Sequence, residues 1–289
     1  MPNNIIGALQ TGFIEISELI RFSNSIELSN TENCHNKSGD FVKKLDLQTN
    51  NILKHKLFQC TNVRAIGSEE ENTLCYTPNK DGNYLVCFDP LDGSSNIDSN
   101  ITVGTIFAIY EYRNNCIQNG HNIVCAGYCL YGGSTQLIIA NNEGVNMMLL
   151  TKNDGFSIME EKININEKGK TYSINESNKY IWKNPKYLTM VQKCIDQKYT
   201  CRWVGSMVAD AHRTLMKGGL FSYPSNNKDT EGKIRLLYEA YPFAYIFKQA
   251  GGYSSNDDIP ILDIPFPQNI HQKTPIFLSG KHEFFNIFI

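Results

Sequence analysis

The sequence predicts an α/β protein built around a mixed β-sheet. Apolar residues recur at helical spacing between residues 5 and 22, and a second helical segment covers residues 41–58. A series of β-prone segments, separated by turns rich in Asn and Gly, follows between residues 63 and 159. This order, helices first and strands next, is typical of helices packed against a sheet.

The first helix should end at about residue 22, because the Asn- and Ser-rich stretch of residues 23–38 breaks it, and Asp40 is the predicted N-cap of the second helix. Pro90 should end the second predicted strand, because proline lacks the amide that a strand ladder needs. The predicted strands cover residues 63–66, 84–88, 102–112, 123–131, 135–140, 145–151 and 156–159.

A polar stretch from residue 160 to residue 170 predicts a boundary between two α/β halves, residues 1–163 and 164–289. In the second half, helices are predicted at residues 185–195 and 206–217. Residues 234–239 are predicted to form an extended apolar segment. Pro242 suits the first turn of a further helix.

The composition excludes several classes of protein. With 27 Lys and Arg against 29 Asp and Glu, the formal net charge is -2, so no basic surface for nucleic acid is expected. The chain has no run of 18 apolar residues and no basic leader followed by an apolar stretch, which predicts a cytoplasmic protein without a membrane partner. The nine cysteines lack zinc-ligand spacing, and most are predicted to be buried reduced thiols.

Two carboxylates stand three residues apart in the segment that follows the second predicted strand. Asp89 lies at the end of that buried strand, and Asp92 comes just before a turn. Both offer the hard oxygen ligands that Mg²⁺ prefers. The next residues can direct backbone N–H groups at an anion, namely Gly93, Ser94 and Ser95. The pattern indicates a divalent metal beside a phosphate, with a turn of solvated acids as the alternative.

Further acids recur in separate segments of the chain. Glu69 and Glu70 follow a short predicted strand, and Glu239 ends an apolar run. Asp46 lies in the second predicted helix. Each of these could be a solvated charge when considered alone, but acids at strand ends in one α/β sheet tend to gather at a common edge.

If these strand-end acids lie close together, cations are required between them, because the carboxylates would otherwise repel one another. We expect two or three Mg²⁺ ions, for which Mn²⁺ or Zn²⁺ could substitute. Two such ions about 3.5–4 Å apart can hold both the attacking water and the leaving oxygen of a phosphate ester. The sequence therefore predicts phosphoester hydrolysis, and the absence of a Walker-type motif argues against a kinase or ATPase. The acids concerned are Glu69, Asp89, Asp92 and Glu239.

Cationic and aromatic residues of the second half suggest a site for a second anion. Lys233 and Arg235 alternate on the predicted extended segment. Arg202 and Tyr223 lie in two other segments. Each alone is an ordinary surface residue, but beside a metal–phosphate centre they suggest a substrate that carries a second phosphate.

Stretches in both halves match one known family: residues 38–46, 67–70, 86–98, 103–107, 204–214 and 232–239. They resemble the class I fructose-1,6-bisphosphatases from about residue 39 to the C-terminus. The resemblance implies a layered α/β/α/β/α fold with two mixed sheets. It also implies a Mg²⁺-dependent enzyme that hydrolyses the 1-phosphate of a ketose bisphosphate, with fructose 1,6-bisphosphate as the first candidate.

The resemblance implies two kinds of role for the acids. Asp46 and Glu70 would orient and deprotonate the attacking water. One metal ion would be held by Asp89, Asp92 and Glu239. A second would be held by Glu69, Asp89 and the carbonyl of Leu91, and a third by Glu69 with Asp40.

The resemblance also implies a set of substrate contacts. Asp92 and the amides of Gly93, Ser94 and Ser95 would contact the scissile phosphate. The sugar would be contacted by Ser206, Met207 and Lys233. The distal phosphate would be held by Asn175, Tyr223, Lys233, Arg235 and a neighbouring subunit's Arg202. The shared arginine implies a homo-oligomer, a dimer at least and a tetramer in most of the family.

Departures at the distal site keep a second substrate open. Trp203 and, in a gap-free alignment, Asn178 stand where the family has tyrosines, although Tyr180 could replace the second. An indole N–H does not copy a phenol hydroxyl. Sedoheptulose 1,7-bisphosphate, one carbon longer, is therefore the alternative substrate, while residues 205–210 are more similar to the fructose enzyme.

The sequence also bears on regulation by AMP and on two alternative functions. The chain begins after the family's AMP-binding loop, and Asn83 and Glu111 stand where that site has a Lys and an Arg, so we expect no inhibition by micromolar AMP. A catalytically silent scaffolding relative is disfavoured because all the acids are present. An inositol-phosphate or nucleotide phosphatase is disfavoured by the predicted distal contacts.

Overall fold

The computed structural model describes the backbone of residues 2–29, 38–112 and 116–289, and the side chains of the same residues except 23–43. The α-helices in these ranges are α1 (Asn3–Ser29), α2 (Ser38–Phe58), α3 (Lys186–Asp196), α4 (Met207–Lys217) and α5 (Tyr241–Gln249). Leu236–Ala240 and Glu283–Phe288 are π-helical turns.

The strands before residue 161 are β1 (Val63–Ser68), β2 (Cys75–Tyr76), β3 (Tyr84–Asp92), β4 (Val103–Glu111), β5 (Ile123–Tyr131), β6 (Thr135–Asn141), β7 (Gly144–Thr151) and β8 (Gly155–Glu160). Those after residue 170 are β9 (Thr171–Ser173), β10 (Thr200–Cys201), β11 (Leu220–Tyr223), β12 (Ile234–Arg235), β13 (Tyr253–Ser255), β14 (Lys273–Thr274) and β15 (Ile276–Ser279).

The strands form two mixed sheets, as expected, and one small ribbon. The first sheet has eight strands in the order β2-β1-β3-β4-β5-β6-β7-β8, with β1 and β3 parallel. The second has five strands in the order β10-β9-β11-β15-β13, with β10, β9 and β11 parallel. The ribbon pairs β12 with β14 and places Arg235 opposite Lys273.

Three apolar cores separate the layers. The first holds Phe13 of α1, Leu53 of α2 and Phe107 of the first sheet. Helices α4 and α5 fill the space between the two sheets, and their core includes Phe243. On the outer face of the second sheet, α3 packs with the last π-helical turn, where the rings of Phe277 and Phe288 stack 3.8 Å apart. The order of layers is therefore α/β/α/β/α, as the resemblance implied.

Burial of the central strands follows from this layering. Every residue from 103 to 110 in β4 is buried, because helices cover both faces of the first sheet. The cysteines of the described ranges are free and most are buried, as predicted. Within those ranges, every helix is too short or too polar to traverse a lipid bilayer.

The prediction that Pro90 ends its strand was wrong. Strand β3 continues to Asp92, which pairs with Gly104 after a shift in register that begins at Asp89. Such a bulge tolerates proline, because the missing amide falls where the ladder is already interrupted. The Oγ1 of Thr105 donates to the carbonyl of Pro90 at 2.8 Å and so satisfies it.

Two helix boundaries also differ from the prediction. Helix α1 continues to Ser29, beyond its predicted end, and α2 begins at Ser38. Asp40 therefore lies inside α2 and is not its N-cap, while its side chain is outside the described ones.

The segment predicted as extended from residue 234 to residue 239 is extended only as far as Arg235. Leu236 begins a π-helical turn that leads directly into α5, which has Pro242 in its first turn as expected. The error has a physical origin: every residue from 236 to 240 is buried, and a short apolar run has no periodicity that separates a buried strand from a buried helix.

Candidate active site

Three buried carboxylates meet where the first sheet borders the second half of the chain. One oxygen from each of Asp89, Asp92 and Glu239 lies within 4.8 Å of those of the other two. The side chains are almost out of contact with solvent, with 2%, 9% and 8% of these residues exposed. The bulge in β3 presents the two aspartates, and the π-helical turn presents the glutamate. Bulges and π-turns of this kind often re-aim side chains at functional sites.

Backbone amides hold each carboxylate in place. The amide of Leu91 donates to Asp89 Oδ1 at 2.9 Å. The amide of Val208, in the first turn of α4, donates to Asp92 Oδ2 at 2.8 Å. The amide of Arg235 donates to Glu239 Oε2. The oxygens are therefore oriented by the fold itself, from three separate elements.

Without a bound cation, the three carboxyl groups of the cluster are harder to ionise than ordinary carboxyl groups. Burial, followed by repulsion from nearby carboxylates, raises the pKa of Asp89 well above its usual range. Burial raises the pKa of Asp92 to about 7, and burial with repulsion from Asp92 raises that of Glu239 well above its usual range. These groups can ionise together only beside compensating positive charge. A buried set of oxygen donors fits a hard divalent cation such as Mg²⁺.

A second acidic group lies beside the first. Glu69 follows β1, and its Oε1 lies 3.9 Å from Nε of Arg235. Asp46 extends from α2 and accepts a 3.4 Å hydrogen bond from Ser94 Oγ. Burial, with repulsion from Glu70 and Glu69, raises the pKa of Asp46 to about 6. A carboxyl with such a pKa is suited to accept a proton near neutral pH.

Gly93 connects the β3 bulge to the short 3₁₀ turn Ser94–Asn96. Its φ of 76° lies in the left-handed region, and a Cβ at this position would be 2.6 Å from Ser206 Oγ. Both features require glycine. The close approach brings this turn against the residue that precedes α4, and Ser206 Oγ donates to Asp92 Oδ2 at 3.4 Å.

A cavity of about 320 Å³ opens over these acids. Three cations, Lys233, Arg235 and Lys273, line it as well, and Arg235 lies beside Glu69. The cavity is lined by Glu69, Asp89, Leu91, Asp92, Gly93, Ser94, Ser95, Trp203, Gly205, Met207, Phe221, Tyr223, Lys233, Ile234, Arg235, Glu239 and Lys273. It thus combines the acids and the cations that a metal-dependent enzyme acting on a doubly anionic substrate needs.

Aromatic side chains form the wall next to the cations. Trp203 stacks on Phe221 with ring centroids 6.4 Å apart and planes 3° apart. Its ring lies 5.9 Å from that of Tyr223. The ammonium of Lys233 lies 5.6 Å from the Tyr223 ring centroid. Trp203 therefore stands where it can influence what enters this end of the cavity.

The structure places most of the predicted residues around this cavity, with a few outside it. Arg202 is exposed, and its Nη1 donates to the carbonyl of Cys201 at 3.2 Å. Asn175 caps a 3₁₀ turn and accepts from the amide of Ser177 at 3.2 Å. Lys273 is a lining residue that the sequence analysis missed, because the two-residue pairing of β12 with β14 leaves no signal in the sequence.

Comparison with known proteins agrees with this geometry. The family model "Fructose-1-6-bisphosphatase, N-terminal domain" matches residues 3–162, and "Fructose-1-6-bisphosphatase, C-terminal domain" matches residues 165–287. The fructose-1,6-bisphosphatase class 1 of Persephonella marina is 44% identical over 254 residues, 86% of this chain and 79% of that protein. The fructose-1,6-bisphosphatase 1 of Bos taurus is 40% identical, with 96% and 86% covered. The crystal structure of Leishmania major fructose-1,6-bisphosphatase in holo form has a TM-score of 0.88 at 34% identity, covering 97% of this chain and 90% of that one. The chain belongs to the class 1 fructose-1,6-bisphosphatase family.

Proposed function

We propose that this protein hydrolyses fructose 1,6-bisphosphate at the 1-phosphate, with Mg²⁺, to fructose 6-phosphate and phosphate. The observation that carries the proposal is the cluster of Asp89, Asp92 and Glu239, which lines one cavity together with Lys233, Arg235 and Lys273. The acids demand metal ions, and the cations suit a second phosphate. The relatives named for this reaction are 40% and 44% identical to the chain, which supports the same activity here.

The acids would take the roles that the family resemblance implied. Bound Mg²⁺ would neutralise the phosphoryl oxygens and make a water molecule more acidic. Asp46 and Glu70 would orient that water and accept its proton, for which the raised pKa of Asp46 is suitable. The proposed ligands are Asp89, Asp92 and Glu239 for one ion, Glu69, Asp89 and the Leu91 carbonyl for a second, and Glu69 with Asp40 for a third.

The substrate would lie along the cavity from the acids to the cations. The amides after Asp92 would hold the scissile phosphate, and Ser206, Met207 and Lys233 would contact the sugar. The distal phosphate would be held by Tyr223, Lys233 and Arg235, which line the cavity, and by Asn175, which the resemblance implies as a contact although it does not line the cavity. Arg202 lies outside the cavity of its own protomer, which supports its contribution to the site of a second copy in a homodimer or homotetramer. The cytoplasmic location stays a prediction from the sequence.

Sedoheptulose 1,7-bisphosphate is the second candidate substrate, because Trp203 lines the cavity in place of a tyrosine. Phosphate release from the two bisphosphates, measured side by side with Mg²⁺ and with a chelator, tests the proposal. We expect the faster release from fructose 1,6-bisphosphate and none without metal. Faster release from the longer sugar would change the substrate, and no release from either would refute the function. AMP in the same assay tests the expectation drawn from Asn83 and Glu111.

A further inference from the structure

His271 lies between two segments that carry proposed metal ligands, and both of its ring nitrogens are engaged. Nε2 is 2.9 Å from the carbonyl oxygen of Glu71, and Nδ1 is 2.8 Å from the hydroxyl of Tyr238. A carbonyl oxygen only accepts hydrogen bonds, so Nε2 must carry the hydrogen. In the neutral ring, Nδ1 is then an acceptor, and the Tyr238 hydroxyl donates to it. The two contacts therefore fix a single tautomer.

The first contact reaches the loop after β1. Glu71 follows the proposed ligand Glu69 by two residues, and its amide donates to the carbonyl of Ser68 at 3.2 Å. Its carboxylate forms an ion pair with Lys54 and accepts a 2.9 Å hydrogen bond from Asn50, both in α2. The loop is thus held from the helical side by the Glu71 side chain and from the opposite side by its backbone carbonyl.

The second contact reaches the π-helical turn. Tyr238 is fully buried and directly precedes Glu239. Its ring meets the imidazole of His271 edge-on, with centroids 6.1 Å apart. The backbone around His271 is also attached to this region, since Arg235 Nη1 donates to the His271 carbonyl at 3.3 Å. Leu236 donates its amide to the next carbonyl, that of Gln272, at 2.8 Å.

We propose that His271 is a positioning residue that holds the Glu69–Glu71 loop in register with Glu239. The loop belongs to the first half of the chain and the π-helical turn to the second, so the bridge sets the spacing of acids that must share metal ions. It acts through Glu71 and Tyr238, because His271 itself does not line the cavity. Outer contacts that orient metal ligands commonly change metal affinity by about 10- to 100-fold when they are lost. The kinetic part of this inference rests on the proposed function.

His271→Leu tests the bridge, since leucine fills similar space without either hydrogen bond. We expect the Mg²⁺ concentration for half-maximal phosphate release to rise by about 10-fold or more, with KM for the sugar bisphosphate changed less. His271→Gln should recover most of the affinity, because its amide can donate to the Glu71 carbonyl. In the metal-free protein, hydrogen exchange in peptides containing Glu69 to Glu71 should be faster in His271→Leu. That measurement does not depend on activity.

His212→Leu is the matched control. Nδ1 of His212 in α4 lies 2.9 Å from the hydroxyl of Tyr128 in β5, with the rings edge-on at 5.8 Å, so the imidazole–tyrosine pair is repeated by residues outside the Glu69–Glu71 loop and the π-helical turn. This variant should lose thermal stability without changing the Mg²⁺ dependence. If His271→Leu behaves in the same way, with unchanged exchange around Glu71, the positioning role is wrong. If the wild-type protein releases no phosphate, the proposed function fails. The positioning role still stands if His271→Leu exchanges faster around Glu71 and binds Mg²⁺ more weakly by calorimetry.

Discussion

Asp92 combines structural contacts with a proposed ligand role in one side chain. Its carboxylate accepts a hydrogen bond from the amide of Val208 at the start of α4, while burial and then repulsion from Glu69 raise its pKa to about 7. We expect Asp92→Asn to lower phosphate release by more than about 100-fold, because a lost ligand removes several kcal/mol of charge stabilisation. The same change should raise the melting temperature of the metal-free protein, because it removes one buried acid from a repelling cluster.

Phosphate release and thermal unfolding without metal measure these two effects separately. Asp154→Asn, in the exposed turn between β7 and β8, is the control and should change neither. Turnover of Asp92→Asn near that of the wild type would remove this residue from the metal site.

Trp203 stands at a distal-end position where the family resemblance implies a tyrosine. Its indole stacks on Phe221 and stands beside Tyr223, so a tyrosine there would supply the phenol hydroxyl that an indole lacks. We expect Trp203→Tyr to shift the ratio of kcat/KM toward fructose 1,6-bisphosphate by about 10-fold, within the range that one carbon can discriminate. The sedoheptulose bisphosphate is the comparison substrate.

The chain offers a matched control for this change, because its other tryptophan packs elsewhere. Trp182 meets Tyr187 with ring centroids 6.1 Å apart, on the outer face of the second sheet. Trp182→Tyr should leave the substrate ratio unchanged. An equal ratio in both variants and the wild type would exclude Trp203 as a determinant of specificity.

At the scale of elements, the turn after β3 depends on a glycine. Gly93→Ala would place a methyl group against Ser206 Oγ in a backbone conformation that alanine rarely adopts. We expect a loss of about 1–3 kcal/mol in the free energy of unfolding and a lower rate of phosphate release, because the turn carries the proposed phosphate amides. Gly133→Ala is the control, since a Cβ there meets nothing within 4 Å. Equal denaturant midpoints for the two variants would contradict the requirement for glycine.

The elements also show which parts of the site the sequence could predict. The uncharged β-prone run before Asp89 predicted a strand and residues 206–217 predicted a helix, and both elements are present, although the strand extends past Pro90. The bulge at Pro90 and the π-helical turn at Glu239 were not, because both arise from tertiary pairing and burial. These two irregular elements carry all three clustered carboxylates. The three acids that cluster were therefore identifiable from the sequence, while the geometry that joins them was not.

At the scale of the whole molecule, the active site draws on both predicted halves, residues 1–163 and 164–289, and on the proposed second copy. Arg202 is exposed and does not line its own protomer's cavity, and the family resemblance implies that it contributes to a neighbouring site, so its loss should damage that site. We expect Arg202→Ala to raise KM and Asp92→Asn to abolish turnover. In a mixed dimer, the Arg202→Ala subunit keeps its own Asp92 and receives an intact Arg202 from the Asp92→Asn subunit, so this one site is complete.

Mixing the two variants after denaturation and refolding, then measuring phosphate release, tests this sharing. A share of the sites in mixed dimers should recover the wild-type KM, which neither parent has. Parents refolded separately and then combined provide the control. Activity equal to the sum of the parents would place Arg202 in its own protomer's site.

The stability of the metal-free protein should depend on pH through the same acids. Folding raises the pKa of Asp92 to about 7 and those of Asp89 and Glu239 well above their usual range. The folded protein therefore binds more protons than the unfolded chain between about pH 4 and pH 7. Stability is full below the unfolded pKa values and is lost as the pH rises through the folded ones.

Raising the pH from about 5 to about 8 should thus lower the melting temperature without metal, and Mg²⁺ should reverse the loss. At a hundredfold excess over its dissociation constant, Mg²⁺ adds about 2.7 kcal/mol, which is roughly 4–5 °C for a chain of this size. The gain should shrink near pH 5, where protons compete for the carboxylates. Calorimetric scans of the wild type and of Asp92→Asn measure both effects. Equal Mg²⁺ stabilisation at the two pH values would show that the buried acids do not hold the metal.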